Sequence, residues 1–176
     1  MPTGQTSKLF QAVRDVPDFP KKGIIFKDIT PLLKDPKAFQ YAIDQWAERY
    51  KASGLNALVA MESRGFIFGA PLAVKLGISF VPVRKPGKLP WKTVQETYEL
   101  EYGTDKLEIH EDAFKKGDKV LVLDDVLATG GTAAAAVRLV ERAGGKVQEA
   151  SFLMELGFLN GRQKLQSIPV YSIIQY

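Results

Sequence analysis

Lys119-Val120-Leu121-Val122-Leu123-Asp124-Asp125-Val126-Leu127-Ala128-Thr129-Gly130-Gly131-Thr132 is the stretch whose reading decides the fold. Residues 120–123 form an unbroken apolar run between polar flanks, the pattern of a strand buried on both faces of a parallel sheet. Two carboxylates, Asp124 and Asp125, follow it. The small-residue turn at 128–132 then leads into a helix expected over 133–143. Backbone N–H groups in such a turn converge on one anion, threonine hydroxyls add donors, and the helix dipole favours negative charge. The glycines let the main chain approach that anion closely.

The acidic pair restricts what the anion belongs to. Carboxylates beside a phosphate repel it unless sugar hydroxyls or a metal intervene. With Asp124 and Asp125 accepting from hydroxyls, and a phosphate on Ala128, Thr129, Gly130, Gly131 and Thr132, the turn fits a ribose 5-phosphate. The plainer alternative is an ordinary strand-to-helix loop whose acids cap the helix. No Gly-Lys-Ser/Thr follows, so the turn is not a Walker A loop, and the G-x-G-x-x-G dinucleotide pattern is missing.

Upstream, Ala57–Met61 repeats the buried-strand pattern and runs into Glu62-Ser63-Arg64-Gly65. A helix is expected over 68–76, with Pro71 tolerable only near its first turn. Open parallel sheets bind ligands at the carboxyl ends of their strands, so this turn and the 124–132 turn belong on one edge. Arg64 reads either as a surface ion pair or as a clamp on phosphate oxygens, which its forked donors suit. A third strand, Ser79–Val83, ends at Arg84. Residues 85–92 follow, rich in Pro, Gly and Lys: a mobile, solvated loop, or a lid that closes over charge. Residues 93–102 read as the returning strand of a long hairpin, and Gly103-Thr104-Asp105 as its turn.

The remaining segments are scaffold or cover. Residues 3–13 suit a short amphipathic helix. Pro17, Pro20 and Pro31 predict an irregular loop with a short extended piece at 24–26. That loop reads as a cover on a sheet edge, or as a hood presenting Ile25 and Phe26 to a flat heteroaromatic base. Asp35-Pro36 marks a helix start, Phe39 to Tyr50 keep helical spacing, and Gly54 stops it. After Gly144-Gly145, Lys146–Glu155 reads as a strand, Gly161–Leu165 as a short helix and 170–176 as a last strand. Glu155-Leu156 and Phe158-Leu159 are placed to reach back toward a base.

Three strand–turn–helix units make an α/β domain with a mainly parallel central sheet flanked by helices. At 176 residues the chain is expected to be a single domain, 1–176. It has no cysteine, which excludes disulfides and thiol catalysis and agrees with a reducing cytoplasmic compartment. No signal or membrane-spanning run is legible. The net charge of +4 suits a polyanionic ligand, but the basic residues form no continuous face of the kind nucleic acid takes. His110, the sole histidine, is expected at a solvated strand end, and one histidine with no cysteine argues against a zinc site.

The Asp124–Thr132 stretch resembles the phosphoribosyl-diphosphate motif of the type I phosphoribosyltransferases. The Phe19-Pro20…Gly23-Ile24-Ile25-Phe26-Lys27-Asp28-Ile29, Glu62-Ser63-Arg64-Gly65-Phe66 and Leu100-Glu101-Tyr102-Gly103 segments resemble members of that family acting on adenine. The resemblance implies that family's fold, with a hood near 17–34 and a hairpin lid near 84–105. It implies a pentosyl transfer in purine salvage: adenine plus phosphoribosyl diphosphate gives AMP and pyrophosphate. By the same resemblance Ile25, Phe26 and Lys27 contact adenine. Glu62, Ser63, Arg64, Arg84, Lys85 and Lys88 receive pyrophosphate, and the Glu62–Ser63 peptide is cis. Asp124, Asp125 and Arg64 are catalytic, and Glu101 is an acid/base near the purine. Mg²⁺ is implied through the diphosphate, with Asp124 and Asp125 in its outer shell and no direct protein ligand. A homodimer is implied, with the exposed part of 66–76 as its contact region. Two alternatives stay open: a 6-oxopurine as the base, or a regulator that senses phosphoribosyl diphosphate without catalysis. The second should carry a helix-turn-helix or a basic face.

Overall fold

Residues 4–99 and 104–176 are described by the computed structural model. Their contacts gather into two compact units, Met1–Trp46 and Ala47–Tyr176. In the first, helix α1 (Gly4–Gln11) precedes an antiparallel hairpin of β1 (Arg14–Pro17) and β2 (Ile25–Asp28), then the short helix α2 (Thr30–Lys34). This segment is more regular than the irregular loop expected from its prolines. β2 finds its partner in Arg14–Pro17, a pairing that no local pattern announces. Pro17 ends its strand and Pro31 sits in the first turn of α2, both places where a missing N–H is harmless. Helix α3 (Pro36–Tyr50) starts as its sequence indicates. Asp35 Oδ1 accepts from the N–H of Lys37 at 2.9 Å and of Ala38 at 3.4 Å.

The second unit runs β3 (Ala57–Met61), α4 (Arg64–Leu76), β4 (Ser79–Val83), the strands β5 (Thr93–Glu99) and β6 (Thr104–His110), β7 (Lys119–Leu127), α5 (Gly131–Arg142), β8 (Lys146–Glu155) and β9 (Val170–Gln175). Five strands form one sheet in the order β4-β3-β7-β8-β9, and each adjacent pair is parallel. β3 passes through α4 to β4 on one side, while β7 passes through α5 to β8 on the other. The direction of winding therefore reverses between β3 and β7, where open α/β sheets leave a crevice. The ladders deepen it. β3 pairs with β7 only as far as Leu123, whereas β7 stays paired with β8 to Leu127.

Two corrections follow from these ladders. β7 extends through Asp124 and Asp125 rather than ending at Leu123, because β8 pairs with that stretch and overrides the poor strand propensity of aspartate. β5 pairs antiparallel with β6, so residues 93–99 are the outgoing arm of the hairpin and Thr104 and Asp105 already belong to its second strand. Alternation along the strands separates the two faces. Val59, Met61, Val120 and Val122 share a core with α5 and with Leu107 and Ile109 of the hairpin. On the other face α4 lies so close that a Cβ on Gly69 would meet Ala60 Cβ at 2.8 Å. α4 begins earlier than its sequence suggests, which leaves Pro71 inside it. Its first turns hold glycine and phenylalanine rather than strong helix formers, and packing on the sheet supplies what propensity lacks. Among the described residues no helix is long and apolar enough to cross a membrane.

Candidate functional site

At the carboxyl end of β3 the chain turns through Glu62 and Ser63 into α4, and the Glu62–Ser63 peptide bond is cis. Gly65 sits against β7: a Cβ there would meet Asp124 Oδ1 at 2.9 Å. Glycine at this position thus sets the spacing between the two turns. Arg64 bridges them, its Nε lying 2.8 Å from Asp125 Oδ2.

The second turn, 128–130, leads from β7 to the N-terminus of α5. Gly130 occupies the N-cap with φ +78°, and no side chain caps the helix. The acids of β7 therefore do not serve as helix caps, and residues 130–133 at the start of α5 line the same cavity. That cavity measures about 390 Å³ and is lined by Glu62, Ser63, Arg64, Lys85, Asp124, Asp125 and residues 128–133. The two turns that the sequence placed on one edge share it. Tyr98, Asp105 and Leu107 of the hairpin complete the wall.

The charges in the cavity are tightly arranged. Desolvation raises the pKa of Asp124, and the neighbouring charge of Asp125 raises it further. Burial raises Asp125 as well, with Arg64 opposing. Only 2% of Asp125 is exposed, so a cationic or hydroxyl-rich ligand would relieve a real cost. Burial disfavours the Glu62 carboxylate, but hydrogen bonds from Lys88, Arg84 and the Lys85 N–H outweigh it and hold the pKa down at about 2. Lys85 pairs with Asp105 at 3.0 Å, which raises the lysine and lowers the aspartate.

The 85–92 segment is tied down at several points. Arg84 exchanges backbone hydrogen bonds with Glu108 at 3.0 and 2.7 Å. The buried Glu108 carboxylate accepts from the Gly87 N–H at 3.1 Å and from Gln95 Nε2 at 2.6 Å. Arg84 and Lys88 meet the site through Glu62 rather than lining the cavity. Tyr98, Asp105 and Glu108 were not singled out from the sequence. Asp105 is expected in the turn, and the signal that could identify it is its place directly across the hairpin from Tyr98. His110 ends β6 as expected, but it is half-buried, and its Nε2 has no hydrogen-bond partner among the described residues.

The other expected residues lie in the first unit or outside the described residues. Ile25 is exposed, Phe26 packs edge-on to Phe19 with centroids 5.2 Å apart, and Lys27 Nζ pairs with Asp15 Oδ1 at 2.6 Å. Glu101 lies outside the described residues. Among the described residues no group of three His, Asp or Glu forms a ready metal cage. The carboxylates that cluster at the cavity, Asp124, Asp125 and Glu62, are hard oxygen donors beside cationic side chains.

Residues 32–165 match the family described as phosphoribosyl transferase domain, a span that contains both turns and the hairpin. The chain belongs to the phosphoribosyl transferase family. Within that family it is 60% identical over 163 residues to adenine phosphoribosyltransferase of Maridesulfovibrio salexigens, covering 93% of this chain and 96% of the relative. The crystal structure of adenine phosphoribosyltransferase from Thermoanaerobacter pseudethanolicus superposes with a TM-score of 0.94 at 54% identity, over 97% of this chain and 99% of that one. The Saccharomyces cerevisiae enzyme, complexed with an imino-altritol bisphosphate and adenine, gives a TM-score of 0.91 at 44% identity over 96% and 98%. The phosphoribosyl transferase fold, with its five-stranded parallel sheet between helices, is the fold of this chain.

Proposed function

We propose that the protein transfers the 5-phosphoribosyl group of phosphoribosyl diphosphate to N9 of adenine, giving AMP and pyrophosphate. The observation that carries this reading is the shared cavity. It brings an acidic pair, a glycine-threonine turn at a helix N-terminus and a cluster of Arg and Lys side chains to the switch point of a parallel sheet. Curated relatives at this level of identity are adenine phosphoribosyltransferases, which supports adenine over a 6-oxopurine.

In the reaction, adenine N9 attacks C1 of the ribose as the bond to pyrophosphate breaks, and the ring oxygen shares the positive charge that develops. The leaving oxygen keeps the bonding electrons, and the N9 proton passes to a base, a role we assign to Glu101. The remaining tasks are positioning and charge stabilisation. Residues 128–132 hold the 5-phosphate with backbone N–H groups and threonine hydroxyls. Asp124 and Asp125 accept from the ribose hydroxyls. Arg64, Lys85, Arg84 and Lys88 exchange their carboxylate partners for the departing pyrophosphate. Ile25, Phe26 and Lys27 are assigned to the base.

Mg²⁺ fits this donor set. Held chiefly by diphosphate and ribose oxygens, the ion would keep several waters, and half-buried Asp124 and buried Asp125 would offer outer-shell contacts to them. Bound to the diphosphate, the ion would offset the charge of the leaving group. A cytoplasmic setting goes with substrates this highly charged. We further infer a homodimer through the outward face of α4, where Ile67 and Val74 are exposed.

The test is pyrophosphate release from phosphoribosyl diphosphate and Mg²⁺ with adenine, hypoxanthine, guanine and xanthine supplied separately. Release with adenine alone is the expected result. Release with a 6-oxopurine would overturn the base assignment, and tight binding without release would favour the regulator.

A further inference from the structure

Behind the phosphate turn lies a second layer that neither the cavity nor the motif includes. Gly161 begins the short 3-10 helix Gly161–Leu165, and its backbone presses directly on the turn. A Cβ on Gly161 would overlap the carbonyl oxygen of Ala128, and a Cβ on Gly130 would overlap the carbonyl oxygen of Gly161. No side chain separates the two segments, so displacement of one passes to the other.

Gly161 is held from both ends of its helix. Leu165 is buried in the core. Arg162 makes a forked pair with Glu155 at the end of β8, Nε to Oε1 and Nη2 to Oε2, both at 2.6 Å. Its Nη1 also donates to the Val170 carbonyl at 2.9 Å. Glu155 is itself buried and accepts from Ser172 Oγ at 2.9 Å and from Gln175 Nε2 at 3.4 Å, both on β9. A planar fork with its remaining lone pairs satisfied is the geometry in which a buried ion pair fixes orientation.

We propose that Glu155 and Arg162 are positioning residues for the 5-phosphate turn, acting through Gly161 on Ala128 and Gly130. The pair ties the 3-10 helix to β8 and β9, and the helix in turn sets the curvature of the turn whose N–H groups converge on the phosphate. Close-packed interiors transmit such constraints instead of absorbing them. The inference rests on the assignment of the 5-phosphate to residues 128–132.

The experiment measures binding of AMP and of magnesium pyrophosphate separately, by calorimetry, on the full-length protein. AMP carries the 5-phosphate and pyrophosphate does not. Arg162→Lys keeps the charge but loses the fork, and Gly161→Ala acts on the turn directly. Both are expected to weaken AMP roughly ten- to a hundredfold, as small misplacements in sites do. Pyrophosphate affinity should stay within about twofold, since its ligands stand on other elements. The doubly neutral Glu155→Gln, Arg162→Gln variant leaves no buried charge unpaired and carries the test should the single substitution fail to fold. Equal loss of both ligands would mean a general structural role and overturn the proposal. So would unchanged AMP affinity in Gly161→Ala and Arg162→Lys when Thr132→Ala, inside the turn, loses it. Unchanged AMP binding in Thr132→Ala would instead overturn the 5-phosphate assignment itself.

Discussion

Asp124 is kept in a setting that opposes its ionised form: burial and the adjacent Asp125 raise its pKa well above the ordinary range. A folded pKa above the unfolded one means that ionisation at neutral pH works against folding. Asp124→Asn removes that opposition, and its amide oxygen can still accept the Asp125 N–H, which now donates to Asp124 Oδ1 at 2.9 Å. The variant is expected to melt higher than wild type at pH 7.5, by roughly 2–4 °C for each kcal/mol relieved, while turnover falls by orders of magnitude. Calorimetry beside a pyrophosphate-release assay checks both halves, and a lower melting point would refute the electrostatic argument. Glu62 behaves in the opposite sense. Its pKa falls from 4.5 to about 2, so the stability it contributes is complete above pH 4.5 and is lost as pH falls toward 2. Urea midpoints measured across that window should fall less steeply for Glu62→Gln than for wild type. Parallel curves would show that its hydrogen bonds with Arg84 and Lys88 have no net effect on folding.

At the scale of elements, the site depends on how closely α4 approaches β7. Gly65→Ala places a methyl group 2.9 Å from Asp124 Oδ1 and 3.2 Å from the Leu123 carbonyl. Backbone and a half-buried carboxylate yield poorly, so overpacking should cost about 1–3 kcal/mol and weaken phosphoribosyl-diphosphate binding at the same time. A variant with normal stability and normal KM would show that the two turns tolerate a wider spacing. The cap of α3 offers a contrast. Asp35→Ala loses the hydrogen bonds to Lys37 and Ala38 and should cost about 1 kcal/mol. Its kcat and KM should stay unchanged at temperatures where it is folded, and a changed KM would tie α3 to the site.

For the whole molecule, the homodimer proposed above would form through the outward face of α4. Val74 is 84% exposed and Ile67 lies two turns earlier on the same side of the helix, a pattern that favours burial against a second copy. Val74→Glu puts a charge in that face and is expected to sediment as a monomer at concentrations where the parent is a dimer. An unchanged sedimentation coefficient would place the contact elsewhere. The excess of basic over acidic residues, net +4, leaves the molecule able to attract phosphorylated substrates while its cavity supplies the carboxylates.

The sequence by itself determined the sheet strands Ala57–Met61, Ser79–Val83 and Lys146–Glu155 to the residue. It also placed on one edge both turns that line the cavity, and it placed the start of α3. These are local properties: a strand buried on both faces needs a continuous apolar run, and a turn or cap needs particular residues at particular offsets. Tertiary structure alone decided that β2 pairs with β1, that β7 continues through its two aspartates, and that Pro71 lies within α4. It alone brought Glu62 to Arg84 and Lys88, 22 and 26 residues away, and seated Gly161 against Ala128 and Gly130. Such contacts have no period and no motif. They exist because parallel strands bring distant segments side by side at one end of the sheet, where a charged group finds its partner in space and not along the chain.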